Sequence, residues 1–350
     1  MSELSYSDIE RLIKKDAPGI YQYYLSDVKP RGKKTKRSMV PLYFIKDLFM
    51  VFLMKLSPLR RLFYTIALVL FLYGMWLNLW NYAFLSFIMF NLLLAFELAD
   101  KLSAKDELDT ARRIQMNMMP TLPGRIKNFS VVCFSETAKQ VGGDYCNYIP
   151  AGNSTNDFLV IGDISGKGMS AALHMVQVHT IINHLARRTS DNKELMIQLN
   201  REVKGIFSKE NFFTATLISI SDSSQIKICR AGHLPALHYS VAEGKCNKIQ
   251  PQGIGLGLAS NGLFEKALEE YVLDSGEGDL IVFYTDGISE AMNTNKDLFG
   301  DDRLIKIIED NAFRQPAEIK NRIIHRVKEF TGDNVFEDDI TLIILKKLTP

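Results

Sequence analysis

The sequence predicts an α+β domain preceded by a transmembrane helical hairpin and a linker helix, and three observations predict it. Residues Leu62 to Ala99 form an apolar run with no Lys, Arg or Asp and a single Glu. From about Leu122 onward, short runs rich in β-branched residues follow one another, with helical stretches inserted in pairs. At the edges of these runs stand Asp144, Asp163, Asp286 and Asp338, most of them beside glycine.

The apolar run comes first in the chain. A bilayer core takes about 20 residues of helix, so the run suits two spans, Leu62 to Leu79 and Ala83 to Ala99, turning near Asn78 and Asn81. One long tilted helix is the alternative. The run starts too far from the N-terminus, and is too long, for a cleavable signal peptide. Basic residues precede it at Lys29, Arg31, Lys33, Lys34, Lys36 and Arg37, then at Lys55, Arg60 and Arg61. Such flanks stay in the cytoplasm, and a hairpin returns the remaining chain to the same side. Between them, Val40 to Leu56 is apolar but broken by Lys46, Asp47 and Lys55. It reads as a helix on the membrane surface, with a re-entrant or spanning segment as the alternative. The basic run either binds anionic lipid head groups or only sets orientation. Asp100 to Met119 mixes charges with apolar residues at helical spacing, and Pro120 and Pro123 end it. The expected divisions are a basic, membrane-surface region 1–61, the hairpin 62–99, a linker or switch helix 100–121, and a soluble domain 122–350.

Within the soluble part the runs FSVVCF, FLVIGDI, FFTATLISI, QIKICRA, DLIVFYTD and ITLIIL read as strands. Met169 to Phe207 and Asp301 to Phe330 read as helical. Helices inserted in pairs argue for helix layers on sheets rather than for a doubly wound fold. With 42 basic against 40 acidic residues the chain has no global field favouring nucleic acid. Its four cysteines show neither CxxC pairing nor zinc spacing, which fits buried thiols in a reducing compartment.

The acidic residues carry the chemistry. An isolated ionised carboxylate is costly to bury, so one at the end of a buried strand is paired, hydrogen-bonded or bound to a cation. Hard divalent cations prefer carboxylate, carbonyl and water ligands, and glycine lets the backbone approach an ion or phosphate closely. No His or Cys cluster accompanies the set, which disfavours zinc. "GDISGKGM" lacks the phosphate-binding P-loop spacing GxxxxGK[ST], since Gly168 follows Gly166 and Lys167 where Ser or Thr is needed. His233 in "AGHLP" reads either as a proton donor or as part of a tight turn, and the turn has the stronger pattern.

Taken in order, "ARRIQMNMMP", "VGGDY", "GDISGKGMSAAL", "FFTATL", "AGHLPAL", "FYTDGISEA" and "DDITLIIL" resemble the SpoIIE/RsbU-type bacterial serine/threonine phosphatases, a branch of the metal-dependent protein phosphatases. The resemblance covers about Thr110 to Leu345. It implies a two-sheet αββα sandwich with two Mn²⁺ or Mg²⁺ ions at one sheet end. By motif, Asp163 bridges both ions, the Ile164 carbonyl and Asp144 serve one, and Asp286 and Asp338 serve the other. Glu290 matches the position where animal relatives hold a third, weaker ion. Lys139 stands where those relatives carry a phosphate-contacting Arg. Where the family often reads GGDYYD, this chain has Cys146 and Asn147. The resemblance further implies a phosphorylated anti-sigma-factor antagonist of STAS type as substrate, and a linker helix that switches activity and pairs as a homodimer. With the hairpin, the expected location is the bacterial cytoplasmic membrane, the catalytic domain facing the cytoplasm in contact with membrane lipids and not with nucleic acid. A non-catalytic phosphoprotein-binding scaffold and a small-molecule phosphate-ester hydrolase are the alternatives.

Overall fold

The computed structural model describes residues 40–120, 122–151, 156–208, 210–223, 225–332 and 336–349. The basic run Lys29 to Arg37 lies outside them. Two compact units divide at Lys105 and Asp106, and each has its own architecture.

The first unit contains α1 (Val40–Lys55), α2 (Pro58–Trp76) and the first part of α3 (Trp80–Met118). Pro58 opens α2 where its missing N–H costs no helical bond. Asn78 turns the chain between α2 and α3 with φ 55, a left-handed conformation that Asn tolerates better than most residues. Ser86 Oγ donates to the Ala67 carbonyl at 2.7 Å. At the other end Arg60 bonds Glu97 at 3.0 Å and Asp100 at 2.6 Å. Both α2 and α3 are long and apolar enough to cross a membrane. The residues expected for the second span and for the linker lie in one helix, which stops just before Pro120.

The second unit is built on two antiparallel sheets. Its strands are β1 (Arg125–Ile126), β2 (Phe129–Glu136), β3 (Asp144–Ile149), β4 (Asn156–Ile164), β5 (Phe213–Ser221) and β6 (Ile226–Ala231). They continue as β7 (Ala236–Ser240), β8 (Lys245–Ile249), β9 (Glu270–Leu273), β10 (Leu280–Tyr284) and β11 (Ile340–Lys347). One sheet has the order β1-β2-β11-β10-β7-β8 and the other β3-β4-β5-β6-β9. The helices are α4 (Met169–Leu185), α5 (Asn192–Ile206), α6 (Asn261–Ala267), α7 (Asp286–Ser289), α8 (Gly300–Asn311) and α9 (Pro316–Thr331). Strand alternation sorts the side chains into three apolar layers. Leu159, Ile161, Ile218, Phe283 and Ile343 fill the space between the sheets. Tyr145, Phe158 and Val160 pack under α4 and α5, and Leu280, Val282, Leu342 and Ile344 pack under α8 and α9. The order of layers is helix, sheet, sheet, helix, the α+β sandwich that the motif resemblance implied.

Both expected helical regions break into two helices. Asp191 caps α5 by accepting from Glu194 N at 2.8 Å. Pro316 opens α9, and Gly332 closes it with φ 75. Five strands escape a pattern reading: the short β1 and β9, β3, whose sequence DYCNYI carries two polar residues, and the hairpin β7–β8, whose outer strand is mostly exposed. The AGHLP segment is the connection from β6 to β7, with Gly232 at φ 70.

Candidate active site

Four strand ends meet at one edge of the sandwich. Asp144 opens β3 and Asp163 nearly closes β4, and the two are direct partners in the antiparallel register. Asp286 follows β10 and opens α7, and Asp338 leads into β11, which pairs with β10. The acidic residues therefore come from both sheets.

Their charges act on one another. Burial, followed by the charges of Asp286, Asp338 and Asp339, pushes the Asp163 carboxyl up to about 7. Burial and the Asp163 charge raise Asp144 well above the ordinary carboxylate range, against hydrogen bonds from Thr285 and Thr341. Asp286 is raised by burial, Glu290 and Asp338. Such a cluster is unfavourable unless positive charge neutralises it. Lys167 supplies part of that charge through an ion pair with Asp338 at 2.6 Å.

A cleft of about 480 Å³ opens beside the cluster, lined among others by Lys167, Asp286, Glu290, Asn293, Lys296 and Asp338. Glu290 lies one turn beyond Asp286, its amide donating to the Asp286 carbonyl at 2.7 Å. Lys139 is exposed on the loop between β2 and β3 and does not line this cleft. His233 is 6 % exposed, with Nδ1 3.1 Å from Thr214 Oγ1. Burial lowers its pKa to about 4, so it is neutral near pH 7 and serves the β6–β7 connection. Asn147 lies an odd number of residues from Asp144 on β3, which places it on the opposite sheet face, away from the acidic cluster.

Several supporting residues go unnoticed in a motif reading. Thr285 Oγ1 donates to Asp144 Oδ2 at 2.7 Å, and Thr341 N donates to Thr285 Oγ1 at 2.8 Å. This chain of bonds ties the end of β10 and the start of β11 to β3 in the other sheet. Asp339 accepts from Ala138 N at 2.9 Å and Gly143 N at 2.8 Å, so the second Asp of the doublet holds the loop that presents Asp144. Gln115 on α3 grips the same loop. Its Nε2 donates to Gly142 O at 2.7 Å, and its Oε1 accepts from Gly142 N at 3.1 Å. The visible signal was proximity: both threonines lie within three residues of a motif Asp, and Gln115 lies in the ARRIQ motif.

The donor set suits a hard divalent cation. Among the described residues no three acidic, His or Cys side chains enclose a single point at ligand distance; the carboxylates are engaged with Thr285, Lys167 and backbone amides instead. Two observations nevertheless fit the cation. One lysine cannot balance Asp144, Asp163, Asp286 and Asp338, whose oxygens are the ligands Mg²⁺ and Mn²⁺ prefer. The backbone is also pared to glycine where it comes closest. A Cβ on Gly143 would stand 2.8 Å from the Ile164 carbonyl and 3.0 Å from Asp163 Oδ1. Gly166 and Gly168 meet no such neighbour, and their φ values of 105 and 70 are what require glycine.

This architecture is shared with solved protein phosphatase domains. The SiaA-PP2C domain of Pseudomonas aeruginosa superposes with a TM-score of 0.60 at 18% identity, covering 71% of this chain and 98% of that one. The PP2C phosphatase domain of SpoIIE from Bacillus subtilis, solved with a fragment of its regulatory domain, superposes at 0.53 with 18% identity, covering 63% and 64%. The fold is thus PP2C-like. The family model described as stage II sporulation protein E (SpoIIE) matches residues 154–348, and the chain belongs to that family. Phosphoserine phosphatase RsbU of Bacillus subtilis is 27% identical over 247 residues, which cover 69% of this chain and 70% of RsbU.

Proposed function

We propose that the chain is a membrane-anchored, metal-dependent phosphoprotein phosphatase that hydrolyses phosphoserine or phosphothreonine, with an anti-sigma-factor antagonist of STAS type as substrate. The observation that carries the reading is the meeting of Asp144, Asp163, Asp286 and Asp338, from both sheets, at one edge of the sandwich, where Asp286 and Asp338 form part of the wall of an open cleft. Asp144, Asp163, the Ile164 carbonyl, Asp286 and Asp338 would hold two Mn²⁺ or Mg²⁺ ions, with Glu290 toward a third. When bound, such ions acidify a shared water and neutralise the phosphoryl oxygens. The chain's own part is to fix geometry. Thr285 and Asp339 hold Asp144 and its loop, the register of β3 on β4 fixes Asp144 against Asp163, and the cleft admits a phosphorylated side chain on an open surface. Lys167, at the cleft wall, is better placed than Lys139 to meet a phosphate. The STAS-type substrate rests on the motif resemblance and fits the relation to RsbU.

The test is phosphate release by the full chain from a phosphoserine peptide and from p-nitrophenyl phosphate, with Mn²⁺, with Mg²⁺ and with chelator. Ion-dependent release that favours the peptide is expected. Ion binding without turnover would point to the scaffold reading, and preference for the small ester to the hydrolase reading.

The N-terminal part supports anchoring. Apolar side chains point outward along α2 and α3, Trp76 being 87% exposed, and a soluble protein rarely leaves so large an apolar surface in water. We assign residues 1–61 to a basic, membrane-surface region, 62–99 to the two-span hairpin, 100–121 to the linker and 122–350 to the phosphatase domain, with the cytoplasm as the site of catalysis. Resistance to alkaline carbonate extraction, together with a dimer in mild detergent, is the expected behaviour; release into the soluble fraction would refute the anchor.

Gln115 gives the linker a route to the site through Gly142. Gln115→Leu leaves both polar groups of Gly142 without their partner, a loss of about 1–3 kcal/mol for a buried pair. It should raise the Mn²⁺ concentration needed for half-maximal turnover several-fold. An unchanged ion requirement would remove the helix from any regulatory role.

A further inference from the structure

Cys133 on β2 and Cys146 on β3 are both free thiols, and their sulfurs stand 3.0 Å apart. The two strands belong to different sheets, so the contact crosses the core between them. A disulfide bond is about 2.05 Å long, and closing this gap requires the sulfurs to approach by about 1 Å. Access is unequal: Cys146 is buried, whereas Cys133 is partly exposed. The remaining two cysteines have no part in this contact. Cys229 packs in the layer under α4 and α5, and Cys246 packs against the layer under α8 and α9.

We propose that Cys133 and Cys146 form a covalent modification site, a dithiol that hydroperoxides convert into a disulfide joining the two sheets. Cys133, the less buried of the two thiols, attacks the peroxide and gives its proton to the leaving oxygen. The O–O bond breaks, water or an alcohol leaves, and Cys133 becomes a sulfenic acid. Cys146 Sγ then attacks the Cys133 sulfur, the S–O bond breaks, and a water leaves carrying the Cys146 proton. Two electrons pass from the thiols to the peroxide. The new bond closes the segment from Cys133 to Cys146, which contains Ala138 and Gly143, the amides held by Asp339, and Asp144 itself. Oxidation would thereby add a covalent tie to a loop that Asp339 and Gln115 now hold by hydrogen bonds.

The experiment is treatment of the full chain with hydrogen peroxide, followed by unfolding, alkylation of free thiols and peptide mapping. Alkylatable thiols should fall from four to two, with a single linked peptide joining Cys133 to Cys146. Its mass should be lower by two hydrogen atoms and should return on reduction with dithiothreitol. Cys133→Ser and Cys146→Ser should each abolish the link while Cys229 and Cys246 remain alkylatable. Oxygen added to Cys133 without a link, or a link formed through Cys229 or Cys246, would overturn the proposal. These readouts need no phosphatase turnover, so they stand apart from the functional reading above.

Discussion

Asp163→Asn should lower the Mn²⁺-dependent phosphate release proposed for this chain about a thousandfold, the equivalent of roughly 4 kcal/mol in the barrier. Asp163 is the acidic residue on which the others bear: Asp144 faces it in the strand register, and Asp286, Asp338 and Asp339 all raise its pKa. Asn keeps the volume and removes the charge. In chelator the variant should therefore melt at or above the wild-type temperature, since like-charge repulsion in the cluster is relieved. Added Mn²⁺ should raise the melting temperature of the wild type, because a ligand that binds only the folded state stabilises it by mass action. It should raise that of Asp163→Asn much less. A variant that retains both turnover and Mn²⁺ stabilisation would remove Asp163 from the centre of the site.

Gly287→Ala is the second large effect, and it works through the backbone. A Cβ at this position would stand 2.0 Å from the Asp339 carbonyl oxygen and 2.9 Å from its carbon. Neither is the end of a flexible side chain that could move aside. The start of α7 or the strand entry at Asp339 must shift, and each carries a predicted ligand, Asp286 on one side and Asp338 on the other. Overpacking of this kind costs about 1–3 kcal/mol, and a displacement near 1 Å in a catalytic group costs about a hundredfold in rate. Turnover should fall by about that factor, with a modest loss of thermal stability. Gly124→Ala meets no neighbour within 4 Å and serves as the control. Unchanged turnover in Gly287→Ala would show that the site tolerates movement between Asp286 and Asp338.

Much of this site was legible because its residues sit in short motifs whose chemistry is local. Asp163 and Asp286 end buried strands beside glycine, which is informative because an unpaired carboxylate there is costly. Asp339 was visible only as the neighbour of Asp338. Its role as acceptor for two amides depends on the loop from Ala138 to Gly143 returning across the sandwich, and no spacing encodes that return. The glycines divided along the same line. Position alone did not distinguish Gly142 and Gly143, which yield space to Asp339, Ile164 and Asp163, from Gly166 and Gly168, which adopt positive φ. Lys139 lies on an exposed loop and is not among the residues lining the cleft, whereas Lys167 lines it.

The sequence by itself determined the α+β class, the apolar hairpin candidate, the paired helices and the acidic motifs, because periodicity, strand propensity and the cost of burying charge all act over a few residues. Tertiary structure alone decided which strands became neighbours. Pairing β2 with β11 and β3 with β4 set Thr285 against Asp144, Gln115 against Gly142 and Cys133 against Cys146. The first and the last of these contacts cross between the sheets and the second joins α3 to the β2–β3 loop, so none is set by neighbours in the sequence.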